Sequence, residues 1–156
     1  MKISNILNKE LIIPEIGADS SPNEILKQMI TVLKERNMIS DENSILKKLI
    51  ERENLASTSI GNNTAIPHTK VKELKKPVMV LGISKKGLNY HDKDEEPVNL
   101  IALILSPANA PALHLQILAA TASLIKKKGN LIKEIVKAKD SSEILEIIKK
   151  YEDSDD

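Results

Sequence analysis

Apolar residues recur at helical spacing after Ser21-Pro22-Asn23-Glu24, at Leu26, Met29, Ile30 and Leu33. The spacing predicts an amphipathic helix with one stripe turned inward. Its start is written in the same stretch. Ser21 caps it, Pro22 suits the first helical position, and Glu24 completes a capping box. Asn37 is its stop. A second helix begins at Asp41, carries Ile45, Leu46, Leu49 and Ile50 on one face, and ends near Asn54. The period then changes. Val78–Ile83 and Val98–Leu105 read as strands, the second almost wholly apolar, as in a central strand covered on both faces. Gly87 to Pro97 joins them through Asp92-Lys93-Asp94-Glu95-Glu96, which reads as a solvated loop.

A third helix follows Ser106-Pro107, with Leu113, Ile117, Ala120, Thr121 and Leu124 along its stripe. Lys126-Lys127-Lys128 complement the negative end of its dipole and Gly129 stops it. Two short helices complete the chain, around Leu131–Val136 and from Ser141 to Lys150, the latter capped by Asp140 with Glu143. Short extended stretches before residue 20 and around Thr58–Ile66 are the remaining strands. The pattern is one α/β domain over residues 1–150, a sheet with helices on its faces. Residues 151–156 are an acidic tail expected to fray. There is no internal repeat. His68, His91 and His114 are evenly spaced, but their flanks do not match.

Composition narrows the core and the partners. The 156 residues are 41% hydrophobic and 29% charged, with no Phe, no Trp and two Tyr, so the interior is aliphatic. Met29, Met38 and Met79 are available for irregular gaps. A formal net charge of +1 creates no global field for nucleic acid. The lack of aromatics also argues against base stacking. Without cysteine, disulfides, thiolate metal sites and cysteine catalysis are excluded. Met1-Lys2-Ile3-Ser4-Asn5 lacks the apolar run of a signal peptide, and Leu100–Leu105 is far too short to insert in a membrane. A cytoplasmic location is the expectation.

The stretch Gly61-Asn62-Asn63-Thr64-Ala65-Ile66-Pro67-His68-Thr69-Lys70 reads as a loop that presents an imidazole. A neutral ring nitrogen can attack phosphorus and pass the group on. That chemistry needs an acceptor on the other nitrogen, positive charge or N–H donors for the phosphate oxygens, and an open site. His114 lies in the first turn of its helix, where the dipole disfavours an imidazolium and favours anions. It is expected to be neutral and to offer an N–H. Arg52 carries a fork that suits phosphate oxygens or a carboxylate. Thr58, Asn63 and Thr64 are phosphate-supporting candidates through hydroxyl or amide groups. Each has a plainer alternative. His68 reads equally as a structural or exposed loop histidine, His114 as a boundary residue, Arg52 as a surface cation and His91 as a solvated neighbour of Asp92. No histidine pair has the short ligand spacing of a metal site.

Taken together, Arg52-Glu53 followed by Ser57-Thr58-Ser59-Ile60-Gly61-Asn62-Asn63-Thr64-Ala65-Ile66-Pro67-His68 resembles the active-site segment of the fructose/mannitol/nitrogen-type EIIA proteins of the bacterial sugar phosphotransferase system. His114-Leu115-Gln116-Ile117-Leu118-Ala119 resembles that family's second histidine segment. Two positions depart from the pattern. Asn63 stands where the family has glycine, and asparagine is the residue that best replaces glycine at positive φ. Thr64 stands for an aliphatic residue.

The resemblance implies a single-domain sandwich of a mixed β-sheet flanked by helices. It implies a phosphotransferase component with His68 phosphorylated at Nε2, His114 supporting the phosphoryl group and Arg52 ordering the site. It implies no metal and no organic cofactor. The donor would be phospho-HPr or its paralogue. The acceptor would be an EIIB domain in sugar uptake, or a regulatory target protein in the nitrogen-type branch. The chain has no EIIB cysteine and no EIIC segment, and domain content leans toward regulation. A module that keeps the fold without transfer is the alternative from another class. The oligomeric state stays open.

Overall fold

The first helix starts where its capping residues put it. In the computed structural model, which describes residues 1–17, 20–91, 96–127 and 129–154, α1 runs Pro22–Glu35. Ser21 Oγ accepts from Glu24 N, and the Glu24 carboxylate accepts from Ser21 N. The chain leaves it through Asn37 at φ 58°, a left-handed turn that asparagine tolerates. α2 (Glu42–Leu55) is capped by Asp41, whose side chain accepts from Ser44 N. Ahead of these, 3-10 turns at Ile3–Asn5 and Lys9–Leu11 lead into the two-residue strand β1 (Ile12–Ile13).

Four strands follow α2 in the chain: β2 (Ser59–Gly61), β3 (Thr64–Ala65), β4 (His68–Val71) and β5 (Val78–Leu88). β6 (Val98–Pro107) pairs with β3, β4 and β5. β5 pairs antiparallel with one side of β6, and β3 and then β4 pair parallel with the other side. β1 adds to β5 in parallel, and β2 closes the far edge antiparallel to β3. The sheet is therefore mixed, in the order β1-β5-β6-β3-β2 with β4 alongside β6.

Strand periodicity divides the core. On β6, Ile101, Leu103 and Leu105 pack with α1 and α2, whereas Leu100, Ala102 and Ile104 pack on the other face. That second face is covered by α3 (Pro111–Lys127), α4 (Leu131–Lys137) and α5 (Ser141–Asp153). β5 obeys the same rule, with Val78 and Val80 on one side and Met79, Leu81 and Ile83 on the other. This two-sided burial explains why β6 reads as a continuous apolar run. A single Leu or Ile buried this way contributes about 1.5–3 kcal/mol over exposure.

Two expectations change. The end of the chain does not fray at residue 151. α5 continues to Asp153, and the Glu152 carboxylate accepts from Ile3 N at 2.5 Å and Ser4 N at 3.3 Å. The first 3-10 turn has free N–H groups, and this carboxylate satisfies them. Lys2 pairs with Asp153 at the same place. The acidic loop expectation at Asp92–Glu95, Lys128 and the last two residues lie outside the described residues. The second change is that His68 is not in a loop but opens β4.

Candidate functional site

β3 and β4 are one ribbon interrupted by Pro67. Ala65 lies opposite Ile101 and His68 opposite Ile104, so the register along β6 carries through Ile66 and Pro67. Pro67 has no N–H to give, but its carbonyl accepts from Ile104 N at 2.9 Å. Upstream, Asn62 and Asn63 have φ of 54° and 59°. Two successive left-handed residues make the tight hairpin turn whose twist matches paired strands. Asn63 keeps that turn at a position where glycine would be the default.

His68 shares a sheet face with its register partner Ile104, which is the α3 side. It is half-buried, and its Nδ1 lies 2.7 Å from the Ile66 carbonyl. A carbonyl can only accept, so Nδ1 carries the proton and donates it. In the neutral ring Nε2 therefore holds the lone pair. Which ring nitrogen is left free is set by the backbone of the residue two positions earlier.

His114 is brought to the same place by α3. The two imidazole centroids are 5.5 Å apart with planes tilted by 51°. His114 is only 6% exposed, and its Nδ1 lies 2.7 Å from Ser106 Oγ. Burial lowers its pKa from the ordinary value, and the neighbouring His68 and Lys70 lower it further. The ring is held neutral. Lys70 follows His68 by two residues, so it points to the same face, and its register partner is Ser106. An exposed cation thus lies close enough to His114 to act on its charge.

The other anticipated residues are placed differently. Arg52 lies in the last turn of α2, and its Nη1 donates to the Ala56 carbonyl at 2.9 Å. It braces the exit from α2 into the segment that carries His68. Thr58 is buried. Its hydroxyl donates to Glu53 Oε2 at 2.6 Å and its N–H to Oε1 at 2.9 Å. Thr64 is fully buried and donates to the Asn62 carbonyl at 3.0 Å. The Asn63 amide donates to the Pro97 carbonyl at 3.0 Å. These donors are spent inside the protein, so their side chains shape the ribbon rather than meet an anion. His91 sits with Tyr90 and Glu53 beside the start of α1. Two of the three histidines converge and the third does not.

Sequence reasoning missed three contributors. Lys70 was accessible to it, because period two from His68 points there once the segment is read as a strand. Glu53 stood beside Arg52 in the motif without an assigned role, and Ser106 was hidden. One is identified by the hydrogen bonds it accepts from Thr58, the other by a register between β4 and β6 that no local pattern encodes. Among the described residues no three His, Cys, Asp or Glu side chains are grouped to hold a metal ion, and no helix is long and apolar enough to cross a membrane.

Comparison with known proteins identifies the family and the fold. The family model for the phosphoenolpyruvate-dependent sugar phosphotransferase system, EIIA 2, matches residues 5–151. The chain is 30% identical over 152 residues to the fructose-specific EIIABC component of the phosphotransferase system from Bacillus subtilis (strain 168), covering 97% of this chain but 24% of that protein. It is 27% identical over 148 residues to a nitrogen regulatory protein of Bradyrhizobium diazoefficiens, covering 95% of each. In structure it resembles the nitrogen regulatory protein IIA-Ntr of Neisseria meningitidis, with a TM-score of 0.82 at 24% identity over 94% of this chain and 98% of that one. It also resembles the IIA of the Escherichia coli complex of enzyme IIA-mannitol with phosphorylated enzyme IIB-mannitol, with a TM-score of 0.75 at 18% identity over 92% and 97%. At these identities the two structures establish a shared fold. With its sheet, its paired histidines and a match that runs from residue 5 to residue 151, this chain belongs to the EIIA type 2 family of the phosphoenolpyruvate-dependent sugar phosphotransferase system.

Proposed function

We propose that this protein is a phosphoryl carrier in which His68 Nε2 receives the group from phospho-HPr or its paralogue in the cytoplasm. The Nε2 lone pair attacks phosphorus, the N–P bond of the donor's phosphohistidine breaks, and the donor nitrogen leaves with the electron pair. The observation that carries this reading is the Nδ1–H···O=C bond from His68 to Ile66, which leaves Nε2 as the free base beside His114. His114 supports the phosphoryl oxygens, Lys70 offsets their charge, and Arg52 orders the approach from α2. Leu115, directly after His114, is 66% exposed and offers a protein partner an apolar contact next to the histidines.

The acceptor is an EIIB domain or a regulatory target. End-to-end similarity to a nitrogen regulatory protein supports the second, and the fructose-specific relative supports the first. Incubation with Enzyme I, HPr and phosphoenolpyruvate tests the carrier itself. The expected product is acid-labile, base-stable phosphate on His68. No label while HPr is charged would make the chain a binding module that keeps the fold. Adding EIIB to the labelled protein then separates the two acceptors, since only the uptake reading requires the label to move.

A further inference from the structure

We propose that Ser106 is a positioning residue that locks His114 in the tautomer with its proton on Nε2. The two imidazoles then present opposite groups to the phosphoryl site, a lone pair from His68 and an N–H from His114. The statement about function rests on the carrier reading above, while the tautomer itself does not.

Ser106 lies in β6, is fully buried, and has its Oγ 2.7 Å from His114 Nδ1. Among the described residues its hydroxyl makes no other hydrogen bond. Two arrangements fit that distance. Either the hydroxyl donates to Nδ1, or Nδ1–H donates to the hydroxyl oxygen. In the second, the serine proton is left with no acceptor in a closed interior. Orphaned buried donors are rarer and costlier than under-used oxygen lone pairs. The first arrangement spends every proton, so Nδ1 is the acceptor and the ring proton sits on Nε2.

The hydroxyl is well placed to impose this choice. β4 flanks β6 here, with Lys70 opposite Ser106 and Thr69 opposite Leu105, so the serine backbone is held inside the sheet. On the helix side, His114 N donates to the Ala110 carbonyl at 3.1 Å, which fixes the first turn of α3. A neutral ring in this position can serve an anion only through an N–H. With the proton on Nδ1, the nitrogen that is not bonded to Ser106 would be a bare lone pair, which repels phosphoryl oxygens. Through the transfer itself, His114 keeps its proton. The electron pair moves from His68 Nε2 to phosphorus, the donor N–P bond breaks, and the His114 N–H hydrogen-bonds to a phosphoryl oxygen before and after.

The pairing also has a logic of contrast. His68 Nδ1 faces a carbonyl, which accepts only. His114 Nδ1 faces a hydroxyl, which can donate. Neighbouring groups of opposite hydrogen-bond sense thus set two chemically identical rings to opposite tasks.

The test is a two-bond proton–nitrogen correlation spectrum of the full ¹⁵N-labelled, unphosphorylated chain near neutral pH. It reads each ring without any partner protein. His68 is expected in the Nδ1–H pattern and His114 in the Nε2–H pattern. Ser106→Ala is expected to release His114 into a mixture of tautomers and to slow phosphorylation of His68 by about twofold, in proportion to the fraction of rings that still present an N–H to the site. Ser106→Thr, which keeps a hydroxyl, is expected to restore both. A wild-type His114 carrying its proton on Nδ1 would overturn the proposal even if the alanine variant does not fold. So would a folded Ser106→Ala protein with an unchanged His114 spectrum. Failure of the chain to accept phosphate, with the His114 pattern as expected, counts against the carrier reading alone.

Discussion

The two faces of one sheet are built from the same aliphatic alphabet and end in different chemistry. Toward α1 and α2, β6 turns Ile101, Leu103 and Leu105, and the helices answer with Leu26, Met29, Leu33 and Leu49. Toward α3, the same strand turns Leu100, Ala102 and Ile104, and then Ser106. Continuing the alternation by one step beyond Ile104 reaches the serine that holds His114, while the neighbouring strand places His68 and Lys70 on the same side. One face is closed to stabilise the fold. The other is closed along most of its length and opens near the carboxyl end of β6, where His68 begins β4. That end is where ligand sites collect in sheets whose strands run parallel, because the side chains there are not needed to fill the core.

The contrast can be broken from either side. The largest effect expected is from His68→Ala, which should abolish acquisition of phosphate from the Enzyme I and HPr system while leaving the urea midpoint nearly unchanged. A half-exposed ring at a strand start contributes little packing. Leu33→Ala on the other face should do the reverse. Leu33 is fully buried, and removing it should cost about 2–5 kcal/mol in urea unfolding while the folded fraction still takes up label. If Leu33→Ala destroys labelling of folded protein, the two faces are coupled and the division fails. His114→Ala should accept phosphate and pass it on about tenfold more slowly or worse, since one N–H to the phosphoryl group is lost. A normal onward rate would remove His114 from the site.

The smallest effect sharpens the assignment of His114. Its pKa in the fold lies below the ordinary 6.5, chiefly because burial penalises the charged ring. The unfolded chain therefore binds a proton that the fold resists. Stability attached to this group is fully present above about pH 6.5 and declines as pH falls through that value toward the lower pKa of the folded state. The urea midpoint should drop between pH 7.5 and pH 5.5, by less in His114→Gln than in the parent. Equal drops would mean that the ring is not desolvated.

The elements differed in how openly the sequence declared them. α1 was legible to the residue because Ser21, Pro22 and Glu24 act on their own neighbours within one turn. β6 was legible because burial on both faces makes Leu100–Leu105 an unbroken apolar run inside it. β1 was legible only as a short extended stretch somewhere before residue 20, and β4 was not, the two being two and four residues long, too short for a period to emerge. The extension of α5 to Asp153 was hidden for a related reason: the acidic residues there answer N–H groups at the opposite end of the chain.

The site divides in the same way. From the sequence alone came the two imidazoles and the left-handed asparagine turn ahead of His68, since these depend on residue type; the neutral state of His114 was expected from its helix position but rests chiefly on its burial. Tertiary structure decided which nitrogen of His68 is free, what holds His114, that Lys70 joins them, and that the hydroxyls of Thr58 and Thr64 face inward. A ring nitrogen or a hydroxyl takes its role from the group across from it. Which group lies across is a matter of strand register and helix placement, and those are settled by how the whole core packs.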